Sequence, residues 1–219
     1  MKKYLNAIKK CSLFENISEE NILSVLGCIG AKIESFDKKY TIFIEGSKAK
    51  YIGVVLSGSV QISQFDYYGN RSILGKVRSG EMFAEAFACA DVKYLPVSVI
   101  TDEPSEIMLV DCSRILCTCQ KACAFHNQLV FNLMKNLAIK NLMLYQRVEI
   151  TSKRKTREKL LAYLMFYSKK TGQSSFDIPF DRQELADYLE VDRSGLSAEI
   201  SKLRNEGILK SNKKHFELL

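Results

Sequence analysis

The spacing of apolar positions changes character several times along the 219-residue chain. Residues 12–27 carry apolar residues at helical spacing among acidic and polar ones, which predicts a short amphipathic helical region. From about Lys32 to Asp111 the apolar stretches become short, rich in β-branched and aromatic residues, and separated by turn-forming residues. This pattern predicts an antiparallel barrel or sandwich, with bends or close backbone approaches at Gly46, Gly58 and Gly80.

A helical pattern returns between about Ala124 and Ile150, a stretch without glycine or proline. It predicts one long helix with a single apolar stripe, made of Val130, Leu133, Leu137, Leu144 and Val148. Such a stripe packs either on its own domain or on the same helix of a second chain, and Lys140 and Asn141 interrupt it. At this length the second use is favoured, so we expect a two-fold homodimer.

The final segment predicts a helix over 156–170, an extended connection, two short helices and a hairpin. Asp181 and Glu184 have the spacing of a capping box at the start of the first short helix, Arg182–Leu189. Asp192 is a candidate N-cap for the second short helix, which Gly207 ends. Two short helices joined by a tight turn predict a helix-turn-helix.

The exposed face of the second short helix carries small side chains and cations. If Leu196, Ile200 and Leu203 face inward, the opposite surface suits close approach to a DNA major groove. We expect base contacts from the N-terminal turn, and phosphate contacts further along the helix and at the hairpin turn. The predicted base-reading residues are Arg193, Ser194 and Ser197, and the predicted phosphate-binding residues are Lys202, Arg204 and Lys213.

The charge of the chain supports DNA binding only in combination with the helix caps and the spacing of the apolar residues. The chain carries a net charge of +7, and residues 151–219 hold 14 Lys and Arg against 10 Asp and Glu, hence +4. Five cations fall within residues 153–159, although on charge alone a solvated helix start or linker is the favoured interpretation of that run. The chain lacks GxSxG, HExxH and GxGxxG motifs and has two histidines, so we do not expect an enzyme.

No apolar stretch approaches the roughly 18–20 residues that cross a bilayer, and the basic start lacks an apolar export segment. We therefore expect a soluble, cytoplasmic protein without a membrane partner. In a reducing cytosol the seven cysteines are expected to remain thiols.

From about Leu13 to the C-terminus the sequence resembles the Crp/Fnr family of transcription regulators. The family's β-roll signature is resembled by FIEGSKAKYIGVVLSGSVQI, and the start of its ligand cassette by SGEMFAE. Its winged helix-turn-helix is resembled by DRQELADYLEVDRSGLSAEISKLRNEGIL. The resemblance implies an α+β fold with an N-terminal, jelly-roll-like double-stranded β-roll, a long dimerisation helix and a C-terminal winged helix-turn-helix. The implied domains are 1–150, which senses an effector and contains the dimerisation helix at about 124–150, and 151–219, which binds DNA.

The resemblance also implies partners. It implies a homodimer on a near-palindromic promoter site in double-stranded DNA, an unidentified small-molecule or redox effector, and RNA polymerase as a further candidate partner. The alternative is a ligand-responsive β-roll dimer whose helical tail contacts protein instead of DNA.

The effector half departs from the cyclic AMP-responsive pattern of the family. That pattern supplies a Glu for the ribose and an Arg-Ser pair for the cyclic phosphate, and here Val97 stands where the Arg would fall. An enclosed phosphate without a cation costs on the order of several kcal/mol, so cyclic AMP is disfavoured. Lys93 is a candidate substitute for the missing cation. For Glu85, the alternative to ribose binding is a structural role in capping the turn. The candidate effector-pocket residues are Gly80, Glu81, Phe83, Ala84, Glu85, Val97 and Ser98.

Cysteines offer a competing sensor. Cys112, Cys117, Cys119, Cys123 and His126 cluster in sequence, and the last three share a helix face if the long helix begins early. They are weak candidates for zinc binding or oxidation, because buried cysteines and a helix-start histidine are the more common explanation. We therefore assign no metal and leave the cofactor unknown. The first 30 residues hold two cysteines, too few to favour an iron–sulfur cluster of the Fnr type.

Overall fold

A computed structural model describes residues 2–65, 67, 71–117 and 124–219. These residues form two compact units, Met1–Ile139 and Lys140–Leu219. The units divide inside the long helix, earlier than the boundary that we placed after residue 150, because Ile150 packs in the core of the second unit.

The first unit begins with two short helices, α1 (Leu5–Lys10) and α2 (Glu19–Cys28). The helical region predicted for 12–27 is therefore a 3-10 turn at Ser12–Phe14 followed by α2, because Asn16 adopts a left-handed φ of 60° between them. Helix α1 was not predicted, since its one buried residue makes no periodic pattern.

In the described residues, eight antiparallel strands follow in two four-stranded sheets, with the orders β1-β8-β3-β6 and β2-β7-β4-β5. The predicted antiparallel β-roll is thereby confirmed. The apolar segments that predict strands span 40–46, 51–66, 71–77, 94–101 and 105–111, so the first strand and the two-residue sixth were not predicted. The strands are β1 (Lys32–Phe36), β2 (Thr41–Phe43), β3 (Tyr51–Ser57), β4 (Ser59–Phe65), β5 (Arg71–Arg78), β6 (Met82–Phe83), β7 (Ser98–Thr101) and β8 (Ser105–Asp111). The Tyr-Gly-Asn sequence at residues 68–70 predicts a hairpin turn, and these residues lie outside the described part of the chain.

Strand β3 is almost wholly buried, because it pairs with β8 on one side and β6 on the other. At the turn after β3, Gly58 has a φ of 81°, and an added Cβ would lie 2.7 Å from the Pro104 carbonyl oxygen. Gly46 and Gly80 also adopt positive φ angles, of 83° and 89°. The predicted bends at all three glycines are confirmed.

Three further helices are α3 (Glu85–Cys89), α4 (Cys112–Leu116) and α5 (Ala124–Thr151). The single long helix is confirmed, but its predicted stripe is not continuous. Leu133 is buried, and Val130 and Leu137 pack against the N-terminal core, whereas Leu144 and Val148 are 61% and 62% exposed. The prediction of one seam is wrong because the first part of α5 packs on its own unit.

The second unit combines the last helices with a small antiparallel sheet of order β10-β11-β9. Its elements are α6 (Thr156–Thr171), β9 (Ser175–Asp177), α7 (Arg182–Leu189), α8 (Arg193–Asn205), β10 (Leu209–Asn212) and β11 (His215–Leu218). Leu160, Leu185, Leu196 and Phe216 are fully buried and join all three helices and the sheet in one core.

Candidate nucleic-acid interface

Side-chain caps fix the starts of α7 and α8. The Asp181 carboxylate accepts a hydrogen bond from the Glu184 backbone N–H at 2.8 Å, and the Glu184 carboxylate accepts from the Asp181 N–H at 2.7 Å. Asp192 accepts from the Gly195 N–H at 2.9 Å and from the Ser194 hydroxyl, and the bond from Ser194 lowers the pKa of Asp192. Both predicted caps are present, so the first turn of α8 has a defined orientation.

The two faces of α8 differ as the sequence predicts. Leu196, Ile200 and Leu203 are at most 3% exposed. The opposite side presents small or cationic residues to solvent, and of the candidate DNA-binding residues on this helix only Ser197 is half-buried. The exposed set is Arg193, Ser194, Ala198, Ser201, Lys202, Arg204 and Asn205. The backbone of α8 is therefore open to close approach by a partner along this face.

A short hairpin places a lysine near the start of α8. Asn212 pairs with His215, which leaves Lys213 and Lys214 as a two-residue turn, with Lys213 at a φ of 52°. Lys214 donates to the Pro179 carbonyl at 3.1 Å, and the Lys210 ammonium lies 3.2 Å from the Glu217 carboxylate. Of these hairpin lysines, Lys213 is the one whose ammonium has no partner within the described ranges.

A groove of about 830 Å³ separates the hairpin from the starts of α7 and α8. Arg193 and Lys213, both predicted site residues, line it together. Arg182 also lines the groove and was not predicted. Its guanidinium donates to the Lys213 carbonyl at 3.5 Å and lies 5.5 Å from the centre of the Phe216 ring, and burial lowers its pKa. Arg182 directly follows the capping residue Asp181, and this position at the start of α7 is the sequence signal that could have identified Arg182 as a site residue.

The basic run at 153–159 divides into two groups. The Arg157 guanidinium donates to the Glu206 carboxylate through both terminal nitrogens and lies 3.5 Å from Glu199. The Lys159 ammonium donates to the Leu189 carbonyl at the end of α7 at 3.1 Å. These two cations are engaged by groups of the same unit, which differs from the solvated helix start or linker that charge alone favoured. Lys153, Arg154 and Lys155 are exposed.

The candidate effector residues of the β-roll lie mostly in an apolar interior. The Phe83 ring is 1% exposed, packs over Gly53 and lies 5.5 Å from the Phe43 ring centre. Ala84, with a φ of 62°, shares this core, and Val97 is also buried. Phe83 therefore occupies interior space of the roll with an aromatic ring.

The polar candidates in this region already have local partners. The Ser98 hydroxyl accepts from the Glu45 N–H at 3.0 Å, and the exposed Glu81 carboxylate accepts from the Arg78 N–H at 2.7 Å. Glu85 is buried, and Gly80 forms a turn with its positive φ. Lys93 is exposed, with its ammonium 5.3 Å from the Tyr94 ring centre.

Of the candidate metal ligands, Cys119 and Cys123 lie outside the described residues. His126 is buried, donates from Nε2 to the Arg114 carbonyl at 2.7 Å, and has its Nδ1 4.0 Å from the Cys28 sulfur. Within the described part of the chain, no group of three or more His, Cys, Asp or Glu side chains is arranged to hold a metal ion. Cys28 was not a predicted neighbour of His126, because the two are far apart in sequence.

Comparison with protein families identifies both halves of the chain. Residues 33–121 match the cyclic nucleotide-binding domain, and residues 158–219 match the Crp-like helix-turn-helix domain. The chain belongs to the Crp/Fnr family. This family consists of DNA-binding transcription regulators, which are not enzymes. Comparison with curated proteins finds no match.

Solved structures of Crp/Fnr regulators share the fold. The c-di-GMP responsive global regulator CLP of Xanthomonas campestris is 19% identical with a TM-score of 0.60, covering 92% of this chain and 99% of its own. The catabolite activator protein of Thermus thermophilus is 20% identical with a TM-score of 0.51, covering 95% and 93%. DNR of Pseudomonas aeruginosa is 21% identical with a TM-score of 0.51, covering 100% and 95%. In the described residues of this Crp/Fnr protein, none of the helices combines the length and apolar character that crossing a membrane requires.

Proposed function

We propose that the chain is a homodimeric, sequence-specific transcription regulator that binds a near-palindromic site in double-stranded DNA. The observation that carries this proposal is the outer face of α8, which is small and cationic and borders a groove lined by Arg193 and Lys213. A helix enters a major groove when its side chains are short enough for the backbone to approach the base edges. Ala198 and Ser201, both exposed, meet that condition in the middle of α8.

The groove suggests a division of roles among the cations. Arg193 lies in the first turn of α8, where recognition helices contact base edges, and its guanidinium has no competing partner among the described residues. Ser194 and Ser197 lie beside it as the further base-reading candidates. Lys213 is on the hairpin turn, which suits a contact to the phosphate backbone flanking the groove. Lys202 and Arg204 lie in the last turn of α8, where we assign them to phosphates.

The proposed dimer rests on apolar surface of α5. Eight of the sixteen large apolar side chains that are exposed in the described residues belong to this helix, among them Phe131, Met134, Leu142 and Tyr145. Removal of apolar surface from water is a main favourable contribution to protein association. A second copy of α5 related by a two-fold axis covers these residues, and symmetry then supplies two copies of α8 for a two-fold DNA site.

We further propose a small-molecule or redox effector other than cyclic AMP, and RNA polymerase as a promoter partner. Val97 is 4% exposed at the position of the phosphate-binding Arg, and the Ser98 hydroxyl is engaged by the Glu45 N–H. A cyclic phosphate enclosed at this place would lack a cation, which is the physical reason against cyclic AMP.

A salt titration tests the proposed DNA binding. Fluorescence anisotropy is measured with a duplex from the region upstream of the chain's own gene and with a shuffled duplex. We expect the logarithm of affinity to fall linearly with the logarithm of salt, by about 0.9 for each phosphate contact. We also expect the natural duplex to bind at least roughly 10³-fold more tightly than the shuffled one.

Lys169→Ala is the matched control, because Lys169 is an exposed cation in the last turn of α6 and does not line the hairpin groove. It should leave both affinities and the salt slope unchanged. A salt-insensitive signal, or equal binding to both duplexes, would contradict the proposal and favour the protein-binding alternative.

A further inference from the structure

Two cysteines from distant parts of the sequence meet in the first unit. Cys89 ends α3 and Cys112 begins α4, and their sulfur atoms lie 3.5 Å apart. A disulfide bond is about 2.05 Å long, so the two sulfurs need to approach by about 1.5 Å to bond. Each cysteine is a terminal residue of a short helix, so a small movement of either helix suffices to bring the two sulfurs to bonding distance.

The two thiols differ in environment. Cys112 is 3% exposed, whereas Cys89 is half-buried, and both line a cavity of about 330 Å³. A water molecule takes up about 30 Å³ of liquid, so the cavity has room for a small oxidant next to Cys89. Lys48 and Lys50 line the same cavity with Asp91 and Asp111, and the Lys50 ammonium lies 3.2 Å from the Asp111 carboxylate.

The contact between the sulfurs makes one thiol more readily ionised than the other. A hydrogen bond from the Cys112 thiol lowers the pKa of Cys89, and the same contact, together with burial, raises the pKa of Cys112. The thiolate is the form that reacts with oxidants, so the more accessible sulfur of the pair is also the more readily ionised one.

We propose that Cys89 and Cys112 form a redox-active dithiol that a small hydroperoxide oxidises to an intramolecular disulfide. In the first step the Cys89 thiolate attacks the hydroperoxide, so that an S–O bond forms and the O–O bond breaks, and the leaving alkoxide or hydroxide takes a proton from solvent and departs as an alcohol or water. In the second step the Cys112 sulfur attacks the Cys89 sulfenic acid, so that the S–S bond forms, the S–O bond breaks, and water leaves with the Cys112 proton. The two thiols lose two electrons and the hydroperoxide gains them.

The dithiol lies close to the start of α5. The backbone carbonyl of Arg114, two residues after Cys112 in α4, accepts a hydrogen bond at 2.7 Å from Nε2 of His126 in the first turn of α5. Closing the disulfide pulls on α4, and this hydrogen bond connects α4 to α5. The proposal itself concerns the chemistry of the cysteines and does not rest on the proposed DNA binding.

Peptide mapping of the full-length protein tests the proposal. The reduced chain is treated with hydrogen peroxide, quenched with N-ethylmaleimide, digested without reductant and analysed by mass spectrometry. We expect a peptide pair that joins Cys89 to Cys112, reversed by dithiothreitol. We also expect Cys89 to lose its reactivity toward N-ethylmaleimide about tenfold faster than the exposed Cys117.

Two variants separate the steps. In Cys112→Ser the reaction should stop at the Cys89 sulfenic acid, which dimedone traps, because the second sulfur is absent. In the control Cys117→Ser the Cys89–Cys112 disulfide should form as in the wild type. The proposal is overturned if Cys89 and Cys112 remain alkylatable at peroxide levels that oxidise Cys117, or if the disulfide maps to other cysteines. The wild-type map decides this even if Cys112→Ser fails to fold.

Discussion

Replacing Arg193 and Lys213 separately by alanine distinguishes base reading from phosphate attraction. Both residues are exposed, both line the groove between α8 and the hairpin, and each substitution removes one positive charge. A purely electrostatic role for both would therefore give the same loss. Different roles give different losses of DNA affinity. Because both variants lose the same charge, such a difference cannot come from charge alone.

The magnitudes follow from the number of contacts. An Arg that binds a guanine through two hydrogen bonds contributes about 1–3 kcal/mol of discrimination, and a two-fold dimer makes this contact once in each half-site. Arg193→Ala should therefore cost about 2–6 kcal/mol on the natural site and leave the salt slope nearly unchanged. Lys213→Ala should instead reduce the slope by about 0.9 per chain, or about 1.8 for the dimer.

The assay is fluorescence anisotropy at several salt concentrations, with a set of duplexes that carry single base-pair changes in one half-site. With Arg193→Ala, we expect the preference at one base-pair position to disappear while the others remain. Lys213→Ala should weaken binding to every duplex by a similar factor. If the two variants give equal slopes and equal base preferences, the assignment of Arg193 to base reading is wrong.

Three further predictions address stability and effector binding. Leu203→Ala, at a fully buried position, should lower the free energy of unfolding of the second unit by about 2–5 kcal/mol in chemical denaturation, whereas Met165→Ala, at a half-exposed position of α6, should cost less than about 0.5 kcal/mol. The hydrogen bond from Arg157 lowers the pKa of Glu206, so the stabilisation from this ion pair is present above the unfolded pKa of 4.5 and is lost as the pH falls through the folded pKa. The free energy of unfolding of the wild type should therefore fall more steeply with acid than that of Arg157→Ala, and parallel curves would contradict this. Calorimetry with cyclic AMP should show no tight binding, and a submicromolar dissociation constant would overturn our interpretation of Val97.

Local patterns predicted much of this structure. The capping box at Asp181 and Glu184 and the N-cap at Asp192 were visible in sequence because a cap and its partner lie within three residues. The strands of the β-roll were visible because their composition and the glycines between them are also local signals. The antiparallel strands, the helix-turn-helix and the inward face of α8 followed from these features, whereas the β-roll and the winged architecture were implied by the resemblance to the Crp/Fnr family.

Contacts between distant residues were not predictable in the same way. Arg157 and Glu206 are 49 positions apart, so the basic run gave no indication that two of its cations are engaged within the fold. Cys89 and Cys112 likewise meet only because α3 and α4 pack together. The stripe on α5 was misassigned because helical periodicity shows which residues share a face, and does not show where a neighbouring element stops covering that face.

The central claim is that the outer face of α8 enters a DNA groove in two copies, and photo-crosslinking tests it most directly. A benzophenone amino acid replaces Ala198, an exposed residue in the middle of that face, and crosslinked bases are mapped on a bound duplex. The account predicts two crosslink sites facing the major groove, about 10 base pairs apart, and none when the probe replaces Lys169 of α6. Absence of crosslinks from position 198 to DNA that the protein demonstrably binds would contradict it.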